Sequence, residues 1–307
     1  MAESTPPDVA RRVLAMTRLA PFQILPPAEL SRLALAGREE VVLRRRVLVK
    51  AGHRPDALHV PLRGDLSMAG GERSPDRNPA GLAGLALLGQ SGLPGDLLAP
   101  AGAELLVVDR DALFTVLEEH GQLCRHLLRA LALDLRTIRP IGGPTFRAFP
   151  GPAPKSTDLV SRMLVLRKLL GPGGSGMAAV ARLARVARDL RLATGMTLEP
   201  SSRGADLLVI THGVLRLQPM EGSARLARAG EVVGLPQAVA GLPLLLRALA
   251  TTPVSALVIS GPELAQAIED EDLLCLDLIC GFAAELLAES TAPVSERATA
   301  EHVESTN

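Results

Sequence analysis

With 307 residues, 47% of them hydrophobic, the chain has room for two domains that each bury a sizeable core. Five Phe and no Trp or Tyr exclude the aromatic platform on which single-stranded nucleic acid stacks, and leave few aromatic anchors for a protein interface. Lys plus Arg equals Asp plus Glu at 33 each, so no net field steers the molecule toward DNA or an anionic membrane.

The start, MAESTPPD, is acidic and has no basic-then-apolar leader pattern, which predicts a cytoplasmic protein. Helical periodicity covers 8–20 (DVARRVLAMTRLA) and 28–36. In AGHRPDALHVPLRGDLSM (51–68), Leu58, Val60 and Leu62 alternate before Gly64, with Leu66 beyond it. This is the pattern of two half-buried strands meeting at a tight glycine turn or bulge. A Gly-rich loop, GLAGLALLGQSGLPGDLL (81–98), leads into a strand at 103–109 (AELLVVD) and a helical stretch at 110–137. Segment 140–157 is rich in Pro and Gly, has no periodicity and reads as a linker.

Beyond the linker the plan repeats. Helices are predicted at 158–170 and 177–190. In EPSSRGADLLVITHGVLRL (199–217), Leu207, Val209 and Thr211 precede Gly213, with Leu215 and Leu217 after it. A second Gly-rich loop, the strand SALVIS (255–260) and a helical stretch at 262–289 follow. The expected fold class is mainly β with flanking helices, in two β-roll domains in tandem. The first spans 8–139 and the second 158–290, with a polar tail at 291–307 read as disordered. The uncharged runs 232–246 and 248–262 are 15 residues each and interrupted by proline, too short to cross a membrane. Three cysteines, Cys124, Cys275 and Cys280, make no disulfide framework.

Three stretches carry a family resemblance. PFQILPPAELSRLA (21–34), AGHRPDALHVPLRGDL (51–66) and GEVVG (230–234) resemble the opening helix, the strand pair and the start of the phosphate-binding cassette of cyclic nucleotide-binding domains. The resemblance covers about 10–138 and 158–290. It implies a roll whose cassette places a glutamate on the ribose hydroxyl and an arginine on the cyclic phosphate. The chemistry requires both, because a buried phosphodiester needs a counter-charge, best supplied by a guanidinium.

In GEVVG, Gly230 and Glu231 match the cassette's opening letters. Counting without gaps from the following strand instead puts Gly84 at the glutamate position and Leu93 at the arginine position in the first half. In the second half the same count gives Leu235 and Leu244, while Gly234 and Pro243 keep the cassette's shape. Each charge-assisted hydrogen bond is worth about 1.5–3 kcal/mol, so losing both anchors costs on the order of three decades in affinity. Binding in the family's usual mode is therefore not expected. Arg247, three residues past the expected arginine, and Arg225 and Arg228, just before the cassette, are the cations that could substitute.

Other constellations are weaker. His120 and Cys124 share a helix face, but His126 faces elsewhere and no second ligand pair follows, so no metal is expected. GPGGSGM (171–177) lacks the Lys-Ser/Thr of a phosphate loop. No nucleophile elbow or acid–base pair is visible, so no enzyme and no cofactor are predicted. In 262–289 apolar residues cover more than one stripe, and Leu274, Leu278 and Phe282 are the candidate surface for a second chain or for the other half. In catabolite activator-type regulators a helix-turn-helix domain follows the roll. Here a polar tail follows the closing helix, so nucleic-acid binding is not expected. The function expected is a non-catalytic regulatory or scaffolding protein whose partner is another protein or a second copy of itself. The alternative is a small-ligand sensor with an altered pocket, taking a cyclic nucleotide or, as Leu235 and Leu244 imply, a less polar ligand.

Overall fold

Each helix-strand-helix half of the sequence gives a pair of antiparallel sheets. The computed structural model describes residues 7–70, 78–138, 158–169, 177–199, 206–220 and 224–291, and the chain separates into two units. Unit 1 takes Met1–Leu131 with Phe282–Pro293, and unit 2 takes Ala132–Gly281 with Val294–Asn307. The linker at 140–157, most of GPGGSGM and the tail beyond Thr291 lie outside the described residues.

In unit 1, α1 (Pro7–Met16) and α2 (Pro27–Leu35) precede six strands. One sheet orders β1 (Arg38–Val41), β6 (Glu104–Asp109) and β3 (Ala57–Arg63), with β6 in the middle. The other orders β2 (Arg46–Val49), β5 (Asp96–Ala99) and β4 (Ser67–Ala69). Leu58 and Val60 are fully buried as their alternation predicts, but His59 between them is buried too. The strand is covered on both faces because α1 and α3 (Pro79–Leu88) pack across it. Gly64, at φ +79°, is where the chain leaves β3 for β4 in the other sheet, so the two strands around it do not pair as a hairpin.

The stretch read as a Gly-rich loop is instead α3, over its first eight residues. Asn78 starts this helix: its side-chain oxygen accepts from the Gly81 amide at 2.6 Å, and Pro79 occupies the first turn. Every residue from Ala80 to Leu88 is buried, with Leu85, Leu87 and Leu88 wholly inaccessible. Each glycine in a helix costs about 1 kcal/mol, whereas each buried leucine contributes about 1.5–3 kcal/mol, so packing decides the conformation. Gly84 serves that packing, since a Cβ there would lie 3.3 Å from Leu58 and 3.7 Å from the Phe22 ring.

Unit 2 begins with α6 (Leu159–Leu169) and α7 (Met177–Val186). The helix expected over 177–190 stops early, because Arg188 already pairs across to Val258. One sheet orders β12 (Val232–Val233), β9 (Asp206–His212), β14 (Val254–Ser260) and β7 (Arg188–Leu192). The other orders β11 (Arg225–Arg228), β10 (Val214–Pro219), β13 (Leu246–Ala250) and β8 (Thr197–Leu198). This is the strand order of unit 1 with one strand added to each sheet. The core between the sheets is built on Leu208, Ile210, Leu215, Leu217, Leu246 and Ala248.

Both long helical stretches break once. The run at 110–137 becomes α4 (Arg110–Glu119) and α5 (Gly121–Ile138), and that at 262–289 becomes α9 (Gly261–Asp270) and α10 (Asp272–Thr291). The break residues, His120 (φ −126°, ψ 75°) and Glu271 (φ −136°, ψ 92°), are outside the helical region. A second detail shared by the units is an arginine latch that periodicity could not show. On α1, Arg12 donates to the Ala34 carbonyl at 3.1 Å and to Glu39 at 2.9 Å. On α6, Arg162 donates to the Ala187 carbonyl and to Asp189, each at 2.7 Å. Each latch ties the unit's first helix to the end of its second and to its first strand. Among the described residues 48% are helical and 28% lie in strands, so the fold is mixed α and β and not clearly mainly β. The excess comes from α3 and from closing helices that run to 18 and 20 residues.

Candidate functional site

The second unit's cassette is built by backbone geometry. Gly230, at φ +91°, donates its amide to the Ile210 carbonyl at 2.7 Å, and the Ile210 amide donates to the Glu231 carbonyl at 3.0 Å. These bonds hold β12 against β9. The Glu231 carboxylate accepts from Arg225 at 3.2 Å, with only 15% of its side chain exposed. Gly234, at φ +88°, turns the chain into α8 (Leu235–Ala240). A Cβ at this position would fall 2.7 Å from the Asp206 carbonyl oxygen, so the turn requires glycine. Leu235 is 3% exposed, and Leu244 packs half-buried against the core with its Cδ2 facing Gly234.

Between the two sheets of this unit lies a cavity of about 360 Å³. Its walls include Leu190, Leu198, Leu208, Leu215, Val233 and Leu244. Its charged lining residues are Arg188, Asp189, Glu199 and Asp206, and the first three are exposed, which marks the mouth. Asp189 is held by Arg162 at 2.7 Å. Arg247 takes no part in the lining. Strand β13 alternates, burying Leu246 and Ala248 and turning Arg247 outward, where it pairs with Glu199 at 3.2 Å. Of the substitute cations, Arg225 is thus committed to Glu231 and Arg247 to Glu199. Arg228 ends β11 as an exposed residue.

In the first unit the equivalent positions fall elsewhere. Gly84 lies mid-helix in α3 and contacts core atoms only. Leu93 is 2% exposed, its amide donating to the His53 carbonyl at 3.1 Å and its carbonyl accepting from Gly52 at 2.8 Å. A Cβ on Gly92 would meet the Gly52 carbonyl oxygen at 2.4 Å, so glycine lets the two loops touch. Asp96 accepts from the Ala51 amide at 2.8 Å and closes the same turn. This region is a packed junction.

The candidate interaction helix is α10. Leu274, Leu278 and Phe282 are at most 1% exposed, so their side chains are already used within the chain. On the same helix Leu273 is 52% exposed. Cys124 and Cys275 are buried and Cys280 is partly so. Among the described residues no group of three or more His, Cys, Asp or Glu is placed to hold a metal. His126 faces α2 and lies 2.7 Å from a carboxylate oxygen of Glu29, a buried residue. Sequence spacing gave no sign of this pair, because its members are 97 residues apart. Among the described residues no helix is long and apolar enough to cross a membrane.

No family model matches the chain, and no curated protein matches it. Solved structures do. The regulatory domain of Toxoplasma gondii PKA, crystallised with cAMP, aligns over 88% of this chain and 97% of its own, with 13% identity and a TM-score of 0.31. The structures this chain resembles are cyclic nucleotide-binding domains. A cAMP-independent PKA regulatory subunit from Trypanosoma cruzi, bound to guanosine, aligns over 87% of each chain with 12% identity and a TM-score of 0.32. A cyclic nucleotide-binding-like protein from Brucella abortus aligns over 35% of this chain and 97% of its own, with 19% identity and a TM-score of 0.30. At those values no ligand is carried across to this chain, and its chemistry is read from its own residues.

Proposed function

We propose that this is a non-catalytic regulatory or scaffolding protein that works through contacts with another protein or a second copy of itself, using two cyclic nucleotide-binding-like modules without the usual phosphate anchors. The observation that carries the reading is the fate of the charges around the second cassette. Leu235 and Leu244 stand where the anchors belong, and the nearby cations Arg225 and Arg247 are each engaged by a carboxylate. A phosphodiester entering there would have to break an existing ion pair or lie unpaired against leucine, and an unpaired buried charge is strongly unfavourable. In the first unit Leu93 is packed into a backbone junction, which supports the same reading.

Isothermal titration of the full chain with cAMP, cGMP and cyclic dinucleotides tests the reading. The expected result is no saturable heat. Micromolar binding that Arg247→Ala abolishes would overturn it. Light scattering on the purified chain, and mass spectrometry of proteins retained by it from the native host, then separate self-association from a second partner.

A further inference from the structure

We infer that the cavity of the second unit is a binding site for a small, neutral, predominantly apolar molecule. The inference rests on the cavity alone and does not depend on how the protein contacts its partners. Its volume of about 360 Å³ falls in the range of small-molecule sites, roughly 300–1,000 Å³. Four hydrophobic residues pack on the core of this unit while remaining partly exposed: Leu190, Leu198, Leu244 and Val258. All four line the cavity. Among the described residues the core therefore leaves an apolar face uncovered, and that face is concave.

Water is a poor occupant of such a space. A buried water needs two to four polar partners, and every charged side chain in the lining belongs to the first or last residues of the strands around the mouth or to the adjoining chain. An apolar guest displaces weakly held water and covers the four side chains together. The mouth argues for a neutral guest. Among the described residues it carries one arginine, Arg188, against three carboxylates, Asp189, Glu199 and Asp206. Arg162 and Arg247 offset two of these carboxylates, and the charge of Asp206 equals that of Arg188 in size, so among the described residues no surplus of positive charge greets a carboxylate or phosphate. Leu244, at the position where the family resemblance implies a guanidinium, contributes wall area in its place.

The full chain titrated with the neutral fluorophore N-phenyl-1-naphthylamine reads this site directly. We expect saturable enhancement at one equivalent, displaced by decanol and at least tenfold less effectively by decanoate or cAMP. Ala248→Phe fills the cavity from β13 and should weaken the fluorophore at least tenfold. Leu244→Asp, at a half-exposed position the fold tolerates, should do the same should the first variant fail to fold. Arg216→Ala, an exposed residue of β10 outside the lining, should leave binding unchanged. The inference is overturned by wild-type protein that shows no saturable signal, by undiminished binding in either folded wall variant, or by decanoate or cAMP competing as well as decanol.

Discussion

Arg247 and Glu199 pair at 3.2 Å across the outer face of the second roll, with 61% and 59% of their side chains exposed. The pairing settles which way β13 points its charge, and it removes Arg247 from any phosphate bound between the sheets. An exposed pair of this kind contributes about 0–1 kcal/mol. Arg247→Ala should therefore shift the urea midpoint by less than that amount allows and leave cyclic nucleotide titrations as flat as those of the wild type. A nucleotide signal present before the substitution and absent after it would show that the side chain swings inward.

Installing a carboxylate and a guanidinium at positions 235 and 244 should supply part of the chemistry. In the variant carrying Leu235→Glu and Leu244→Arg, the guanidinium enters from a half-buried position beside Gly234, whose backbone geometry is intact. Each charge-assisted hydrogen bond regained is worth about 1.5–3 kcal/mol, or about tenfold or more in affinity. Leu235 is buried, so the glutamate also costs stability, and the melting temperature should fall. Calorimetry should find cAMP affinity at least tenfold above wild type. A folded double variant with no gain would mean that the cassette backbone no longer fits the sugar-phosphate.

The strand plan was legible because period-two alternation and turn glycines are local signals: Leu58, Val60, Gly64 and Gly213 all fall where the pattern puts them. The first cassette was misread because its glycines are local punctuation, whereas the helix they form is dictated by long-range burial against Leu58 and Phe22. The Arg12 and Arg162 latches were invisible for a different reason. Their partners are backbone carbonyls, which no side-chain pattern records, and carboxylates 27 residues away in sequence. Apolar patterning in α10 could show that the helix needs cover but not whether the chain provides it, and the burial of Leu274, Leu278 and Phe282 supplies that answer only in three dimensions.

The glycines at the two sheet-to-sheet corners should respond differently to the same change. Gly64 and Gly213 both have left-handed backbones, at φ +79° and +85°, which cost an L-residue roughly 1–2 kcal/mol. At Gly64 an added Cβ meets Ala103 at an ordinary 3.5 Å. At Gly213 it would sit 2.2 Å from the Pro253 carbonyl oxygen, against backbone that cannot rotate away. Gly213→Ala should therefore be clearly more destabilising than Gly64→Ala in denaturant melts. Equal losses would mean that the β9–β10 corner relaxes freely.

Ser260 caps α9 with a reciprocal box, and the Glu263 carboxylate accepts from both the Ser260 amide, at 3.0 Å, and its hydroxyl, at 2.6 Å. The hydroxyl bond is the main reason the carboxyl is held below its ordinary value. Ser260→Ala removes it and should cost about 1 kcal/mol, the usual worth of a cap. The loss should be largest at neutral pH and shrink as acid protonates Glu263 in the wild type, since a depressed carboxyl stabilises only while ionised. A loss independent of pH would assign the effect to helix propensity alone.

His59 should make the first unit sensitive to mild acid. Burial is the main cause that holds its imidazole below the ordinary value of 6.5; Glu40 opposes the shift, while Arg46 and Arg38 add to it. The folded chain thus keeps His59 neutral at pH values where the unfolded chain protonates it. The unfolded state then binds more protons, so stability falls as pH drops through 6.5 and stops falling below the depressed folded value. Each unit of depression is worth about 1.4 kcal/mol. Urea midpoints at pH 7.5 and 5.0 should drop for the wild type, and the drop should be smaller in His59→Leu, which places an apolar side chain between Leu58 and Val60 with nothing to titrate. Identical drops in the two proteins would assign the acid sensitivity to other groups.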